Sequence, residues 1–410
     1  MVKLLVVGAG NRGYDTYGKL IKQRDDTKII GIAEPNNEKR ERFAKDHNIP
    51  KERQFSSWNE LFSLDKFADG VVIATPDRLH VEPAIIAMEK GYHILLEKPI
   101  APTPEEVQKV IDVAKKTKKI VVVGHVLRYT KFFRKLKEII QLKTIGDVIG
   151  IDHIENIGFY HFAHSFVRGN WRNSKESSPS ILAKSCHDLD ILYWLSDSKC
   201  KVISSFGELT YFKAANKPPN AGDRCLDCPS EIEEKCPYSA KKIYLTDYTG
   251  WPVSVISIDL SYKGRVKALR EGPYGRCVFS CDNDVVDHQI VNIVFENGIK
   301  ATFTMTAFSD TITRRIRVFG TLGEIRGEFE KGEIEVIRFA DTRRDFYRIN
   351  IYDSDMGHGG GDKGIVDHFI SLLKGVKVEN PTDIEASAHS HFMAFGAEKS
   401  RLKEGSPVFL

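Results

Sequence analysis

The sequence predicts an α/β protein in two parts: a doubly wound parallel sheet over residues 1–125, then a second α/β part over residues 126–410 built mainly on antiparallel strands. Three observations predict it. Short, continuous, β-branched runs alternate with helical patterns in the first third of the chain, as parallel strands covered on both faces do. A glycine-rich turn joins the first run to the first helical stretch. Farther on, strict apolar–polar alternation takes over, the mark of a sheet with one buried face.

The continuous runs are Lys3–Val7, Lys28–Ala33, Gly70–Ala74, His93–Leu96 and Ile120–Val123. Helical stretches between them include Asn37–His47, Leu79–Lys90 and Pro104–Lys116. The last opens with Thr103 as N-cap, Pro104 at the first helical position, and Glu105 and Glu106 in the first turn. That order gives the unpaired N–H groups an acceptor and the positive helix end a negative charge. Asp147–Tyr160 reads as a long strand, Ser180–Leu195 as a helix, and residues 250–340 as mostly strand. Within that region Ile299, Ala301, Phe303, Met305 and Ala307 alternate with polar residues, just after the tight turn Asn297-Gly298. Helix returns over Lys363–Lys374 and Asp383–Lys403. Asn216–Pro237, rich in Pro, Cys and acidic residues, reads as a loop excursion.

Composition excludes several classes. Sixty Lys and Arg against 56 Asp and Glu leave a net charge of +4, too small to indicate a nucleic-acid or membrane-surface partner. A chain of 410 residues can bury a core without disulfides or metal. No uncharged apolar stretch approaches the roughly 18 residues of a membrane span. Met1-Val2-Lys3 leads into Leu4-Leu5-Val6-Val7, which stops at Gly8 and is too short for a secretory signal. Seven cysteines, two of them isolated (Cys186 and Cys200), read as thiols of a reducing compartment. A cytoplasmic protein is expected.

Gly8-Ala9-Gly10-Asn11-Arg12-Gly13 follows a strand and precedes a helix. In that setting the glycines allow a tight turn and close backbone approach, so a pyrophosphate can sit on the helix N-terminus. Glu34 closes the second strand, where an acid can bind ribose hydroxyls and repel a 2′-phosphate. NAD is therefore expected over NADP, although Arg40, six residues on, keeps NADP open.

Three further segments are Ala74-Thr75-Pro76-Asp77-Arg78-Leu79-His80, Glu97-Lys98-Pro99 and Lys184-Ser185-Cys186-His187-Asp188-Leu189-Asp190. With the glycine turn, these make the chain resemble the glucose–fructose oxidoreductase / inositol dehydrogenase / MocA-like (Gfo/Idh/MocA) family over essentially its whole length. The resemblance implies a Rossmann domain followed by an α/β domain with an open, mostly antiparallel sheet, with substrate held between them. It implies an NAD-dependent oxidoreductase acting on a hydroxyl or carbonyl carbon of a sugar, cyclitol or sugar derivative. Carried over by motif, Thr75, Pro76 and His80 lie along the cofactor, Glu97 and Lys98 beside the nicotinamide ribose, and His187 faces the substrate; the peptide before Pro99 is often cis. The chain departs at Ala183, where the family commonly has an Asp; Lys184 follows it.

Alcohol oxidation needs a group to take the hydroxyl proton. Lys98 and His187 are the candidates, with Lys184 placed to depress the Lys98 pKa by like charge. Asp190, three residues beyond His187, lies on the same helical face and could orient its ring. Arg128, Tyr129, His164, Trp171, Arg172 and Asp190 are candidate substrate contacts, with His161 and Arg168 in the same stretch as His164. Asp282, Asn283, Asp284, Asp287 and His288 form either a polar turn or a substrate contact, and Gly357–Asp362 either approaches the pocket or caps a helix. Cys225, Cys228 and Cys236 are spaced Cys-x2-Cys-x7-Cys: a zinc knuckle lacking a fourth ligand, or reduced thiols packing the loop. No catalytic metal is expected. Three functions fit: a sugar or cyclitol dehydrogenase, a glycosidase using tightly bound NAD for transient oxidation, and a non-catalytic NAD-binding sugar-responsive regulator. The resemblance also implies a homodimer or homotetramer joined through the C-terminal sheets.

Overall fold

The computed structural model describes residues 1–351 and 358–410. The first sheet contains β1 (Val2–Val7), β2 (Thr27–Ala33), β3 (Gln54–Phe55), β4 (Gly70–Ile73), β5 (His93–Leu96) and β6 (Val121–Val123). All pairs are parallel, in the order β3-β2-β1-β4-β5-β6. Leu5 and Val7 face one helical layer while Leu4 and Val6 face the other, which is why the run is continuous rather than alternating. Helix Asn37–His47 forms as expected, and so does helix Pro104–Thr117, where Thr103 accepts from Glu106 N–H. The short β3 and the helix Trp58–Ser63 carry too few residues to show a period.

The second sheet contains β7 (Val148–Asn156), β8 (Cys200–Glu208), β9 (His288–Phe295), β10 (Lys300–Thr306), β11 (Thr313–Gly320), β12 (Gly323–Glu328), β13 (Glu333–Arg338), β14 (Arg344–Arg348) and β15 (Val408–Phe409). Its order is β14-β13-β12-β11-β7-β10-β9-β8-β15, antiparallel except for the β7–β10 pair. Gly298 supplies the positive φ of +89° that the β9–β10 turn requires. Ala301, Phe303 and Met305 point into the core. On the other face, register aligns Phe206, Ile290, Thr304, Ile154 and Arg315 in one row across five strands. Phe206, Ile290 and Ile154 are exposed there.

Four expectations need correction. The strand ends at Asn156 because Gly158 adopts φ +86° and the chain turns into the helical turn Phe159–Phe162. The helix over 180–195 is two helices, Ser180–Ala183 and Cys186–Ser196, interrupted at Lys184-Ser185, both of which reach Glu155. The region read as strand from residue 250 is helical over Val253–Ile256 and Tyr262–Glu271; Val253 and Leu269 fill a small satellite core. The excursion read as loop carries the short helices Ser230–Glu233 and, just beyond it, Ala240–Tyr244.

The C-terminal helices return to the first sheet. Ile365, Val366, Phe369 and Ile370 of helix Gly361–Leu373 pack on one of its faces, and Ile384 and Ala388 of helix Ile384–Arg401 on the other. Segments from both ends of the chain therefore meet where β1, β4, β5 and β6 end.

Candidate active site

The glycine turn is built for close approach. Gly8 has φ +94°, and a Cβ there would lie 2.7 Å from the Ala74 carbonyl oxygen. A Cβ at Gly13 would lie 1.9 Å from the Gly8 carbonyl oxygen. A Cβ at Gly10 would meet no atom within 4 Å. Two glycines therefore pack the turn, and the third leaves its outer face open, as a pyrophosphate cradle requires. Glu34, at the end of β2, accepts from Ala9 N–H at 2.7 Å and from Asn36 N–H at 3.0 Å. Arg40 reaches the Glu34 carbonyl at 2.6 Å and is held near the same edge.

The Arg12 side chain is engaged by two carboxylates. Its Nε donates to Glu97 at 2.6 Å and its Nη2 to Asp362 at 2.8 Å. Tyr17 donates to the same Glu97 oxygen at 2.5 Å. Burial alone would raise the Glu97 carboxyl, but Arg12 and Lys98 outweigh it and hold the group below its usual range. His80 is engaged as well: its two ring nitrogens meet the Pro99 and Thr75 carbonyls at 2.6 and 2.8 Å. It braces two loops against each other and leaves neither nitrogen for a cofactor. Thr75 Oγ1 donates to the Leu79 carbonyl, and Pro76 is exposed at the loop tip. The Lys98–Pro99 peptide is cis.

Lys98 projects from the end of β5 toward the second domain. Its Nζ donates to the Ala183 carbonyl at 2.6 Å and lies 5.8 Å from the centre of the Trp171 ring. Trp171 in turn donates to Asp77 at 3.1 Å, joining the second domain to the loop after β4. His187, in the first turn of helix Cys186–Ser196, is buried, and its Nδ1 has no partner. Burial lowers the His187 pKa well below the usual imidazole range, and Lys98, then His358, push it further down. The ring is neutral at physiological pH.

Lys184 does not face Lys98 as expected. Its Nζ lies 3.1 Å from Glu155, which also receives Arg314 at 2.6 Å. Asp188 receives Arg314 at 2.9 Å and contacts His153 at 2.7 Å. Burial pushes Glu155 up to about 7. Burial would raise Asp188 too, but Arg314 and His153 hold it well below the carboxylate range. Burial lowers the Lys184 pKa; Glu155 opposes that shift, and Lys98 is a minor contributor. A carboxylate from β7 thus faces Lys184 beside the position where Ala183 replaces the expected Asp.

Five residues read as substrate contacts are engaged elsewhere. Arg128 makes two bonds of 2.7 Å to Asp190 and one to the Pro381 carbonyl, and Tyr129 bonds Thr382. Asp190 also lies 2.8 Å from His125 Nδ1, so it does not orient His187. These residues form the junction beneath the site, because their partners come from the returning C-terminal segment. His164 bonds the Tyr244 hydroxyl at 2.9 Å, stacks 4.7 Å from Tyr274, and is lowered by burial to about 3. Arg172 is engaged by Asp282 at 2.8 and 2.9 Å. His161, near His164 in sequence, lies within electrostatic reach of Lys184, Arg314 and His358.

His358 and Asp362 belong to the site, although the sequence left their loop ambiguous; Gly357 lies outside the described residues. The His358 ring is 5.9 Å from that of His187, and its Nδ1 is 3.0 Å from Asp362. Glu97, Arg12, Asp362, His358 and His187 thus run in one line from the glycine turn to the second domain. The available signal was the glycine run before a helix, which permits a loop to fold tightly inward. Among the described residues, His125, Cys186 and His391 bring ligand-type atoms within 4.8 Å of one another. His391 already receives Ile100 N–H and bonds the Ser387 carbonyl, so the trio is a packed junction.

The parallel sheet, open glycine turn and acid-terminated β2 define an NAD-binding Rossmann oxidoreductase. The chain belongs to the Gfo/Idh/MocA oxidoreductase family: residues 2–125 match its NAD-binding Rossmann fold and residues 137–408 its C-terminal alpha/beta domain. It is similar to the oxidoreductase YteT of Bacillus subtilis (strain 168), 23% identical over 386 residues, covering 88% of this chain and 87% of that protein. It is 26% identical over 209 residues to 2,7-anhydro-N-acetylneuraminate hydratase of Escherichia coli (strain K12), covering 50% of this chain and 53% of that protein. Among solved structures, an inositol dehydrogenase homolog complexed with NAD+ from Azotobacter vinelandii superposes with a TM-score of 0.70 at 14% identity, covering 100% of this chain and 97% of that one. No helix among the described residues is long and apolar enough to cross a membrane.

Proposed function

We propose that the protein is an NAD-dependent dehydrogenase acting on a hydroxyl carbon of a sugar, cyclitol or sugar derivative. The observation that supports this reading is that Lys98 from the first domain lies within electrostatic reach of a neutral His187 from the second, whose Nδ1 has no partner among the described residues. NAD, when bound, supplies a hydride acceptor. The cradle at Gly10 and the Glu34 carboxylate would hold it, with NAD favoured because Glu34 repels a 2′-phosphate. His187 takes the hydroxyl proton on its ring, as a neutral imidazole can. Lys98 donates to the same oxygen and keeps the ring unprotonated until substrate arrives. Trp171, beside Lys98, offers a face on which a sugar ring packs. Lys184, with Glu155 and Arg314, fixes the polar wall next to Ala183. Names among the relatives favour this substrate class, including inositol 2-dehydrogenase and glucose-6-phosphate 3-dehydrogenase. The test is a panel of sugars, inositols, anhydrosugars and glycosides with NAD, followed by NADH absorbance. Substrate-dependent NADH formation is expected; conversion of a glycoside without net NADH overturns the assignment in favour of transient oxidation. The exposed row of Phe206, Ile290 and Ile154 supports a homodimer or homotetramer through the second sheet.

A further inference from the structure

Outside the active site, Arg168 is a buried cation with no carboxylate paired to it among the described residues. Arg168 is fully buried. Its Nε donates to the Arg276 carbonyl and its Nη2 to the Tyr238 carbonyl, each at 2.7 Å, and Nη2 also donates to Cys225 Sγ at 3.4 Å. Its Nη1 has no partner. The ionisable groups facing it are Tyr244 and the thiols of Cys225, Cys281 and Cys277, not a carboxylate. A buried guanidinium without an anion is strongly destabilising. Something negative belongs in this place.

The thiols come from distant parts of the sequence. Arg224 and Arg276 form an antiparallel bridge, which sets Cys225 and Cys277 on adjacent segments. Cys277 N–H donates to the Asp223 carbonyl at 2.8 Å, and Cys225 Sγ lies 3.8 Å from the Arg276 carbonyl. Cys236 is two residues from Tyr238, whose carbonyl shares Arg168 Nη2 with Cys225. Cys228 follows the turn Cys225–Asp227 in Cys-x2-Cys spacing. Cys277 is thus the candidate for the fourth ligand missing from the sequence motif. The lobe that holds these cysteines also needs a fastener: its own core has only five buried apolar residues, Cys225, Ala240, Tyr244, Val253 and Leu269. So small a core is ordinarily completed by a disulfide or a metal.

We propose that Cys225, Cys228, Cys236 and Cys277 bind one zinc ion as a structural tetrathiolate, with Arg168 as its counter-charge. Four thiols lose their protons on binding, giving a centre of net charge −2 that Arg168 partly offsets through N–H···S bonds. As placed, no three of the sulfurs come within 4.8 Å of one another, so at least two of the four side chains must turn for the site to close. Cys281, whose Sγ lies 3.2 Å from the Cys277 carbonyl, stays outside it. The centre would brace the wall carrying Tyr244 and Tyr274 against His164.

The test uses the full chain purified from zinc-supplemented culture without chelator. Elemental analysis is expected to give about one zinc per chain. Cobalt substitution is expected to give the absorption of a tetrahedral thiolate complex. Cys225→Ser and Cys277→Ser are expected to lose the ion, whereas Cys281→Ser keeps it and all three still bind NAD at the other domain. Should the serine variants fail to fold, titrating wild-type thiols with a mercurial while a chromogenic chelator reports released zinc gives the same answer. Protein without zinc, an intact mass showing a disulfide among these cysteines, or zinc retained in both ligand variants overturns the proposal.

Discussion

Replacing Gly10 and Gly13 separately by alanine separates the fold of the nucleotide turn from its function. At Gly13 the added methyl would stand 1.9 Å from the Gly8 carbonyl oxygen, which is backbone and cannot rotate away. Restoring an ordinary contact opens the turn by more than an ångström. Overpacking of this kind costs about 1–3 kcal/mol, which lowers the thermal midpoint by about 2–10 °C. At Gly10 the same methyl meets nothing within 4 Å. The residue sits at φ −74° and ψ −168°, a conformation open to alanine. Gly10→Ala is therefore neutral or stabilising by about 0.4–1 kcal/mol through the unfolded chain. Its cost falls on the ligand: a methyl between backbone and pyrophosphate weakens NAD by about 1.4–2.8 kcal/mol, ten- to a hundredfold. Differential scanning fluorimetry without ligand reads the first effect, and calorimetric titration with NAD reads the second. Wild-type affinity in Gly10→Ala would refute pyrophosphate approach to that face.

Other outcomes follow from the same geometry. Lys98→Met and His187→Ala should each cut turnover by about two to four orders of magnitude while NAD binds within a few-fold, measured by steady-state kinetics and titration; near-normal turnover in both removes the assignment. If His187 is the base, its variant alone loses the corresponding limb of the pH–rate profile. Glu34→Ser should narrow the preference for NAD over NADP, read as the ratio of dissociation constants. The Asp190 carboxyl is held at about 2: burial opposes ionisation, and Arg128 with His125 overcomes it. Its pairing therefore stabilises the fold above the unfolded value near 3.9 and is lost as pH falls toward about 2. Arg128→Met should cost about 3–5 kcal/mol at pH 7 and less at pH 5, where protonation relieves the unpaired carboxylate; a gap independent of pH in urea titrations contradicts this. Light scattering at micromolar concentration should give a dimer or tetramer, and Ile290→Lys should shift it toward monomer; a wild-type monomer rules out the sheet interface.

The parts legible in the sequence were those governed by neighbours along the chain. Continuous runs such as Leu4–Val7 identify themselves because both faces of the first sheet are covered. Thr103-Pro104-Glu105-Glu106 marks its helix because capping is local. The glycine turn and the strand end that precedes Glu34 are local as well: a turn and the end of the next strand fix their relation within one βαβ unit. Where several partners compete for one side chain, local reading failed. Arg12 sits inside the glycine motif yet pairs with Glu97 and with Asp362, 350 positions away. Arg128 and Asp190 carry chemistry suited to a sugar and pair with each other instead. Val253–Ile256 falls in the region read as mostly strand, and the satellite core makes it a helix.

By itself, then, the sequence determined the Rossmann half, its nucleotide turn, the alternating strand after Asn297-Gly298, and the two reactive candidates Lys98 and His187. The tertiary structure decided what surrounds them: Glu155 opposite Lys184, His358 and Asp362 folded in from the C-terminal side, Cys277 beside Cys225. The reason is physical. Dihedral preferences, caps and periodic burial act over a few residues and leave a pattern in the chain. The pairing of buried charges and thiols depends on which distant segments the packed core brings within a few ångströms, and no spacing records that.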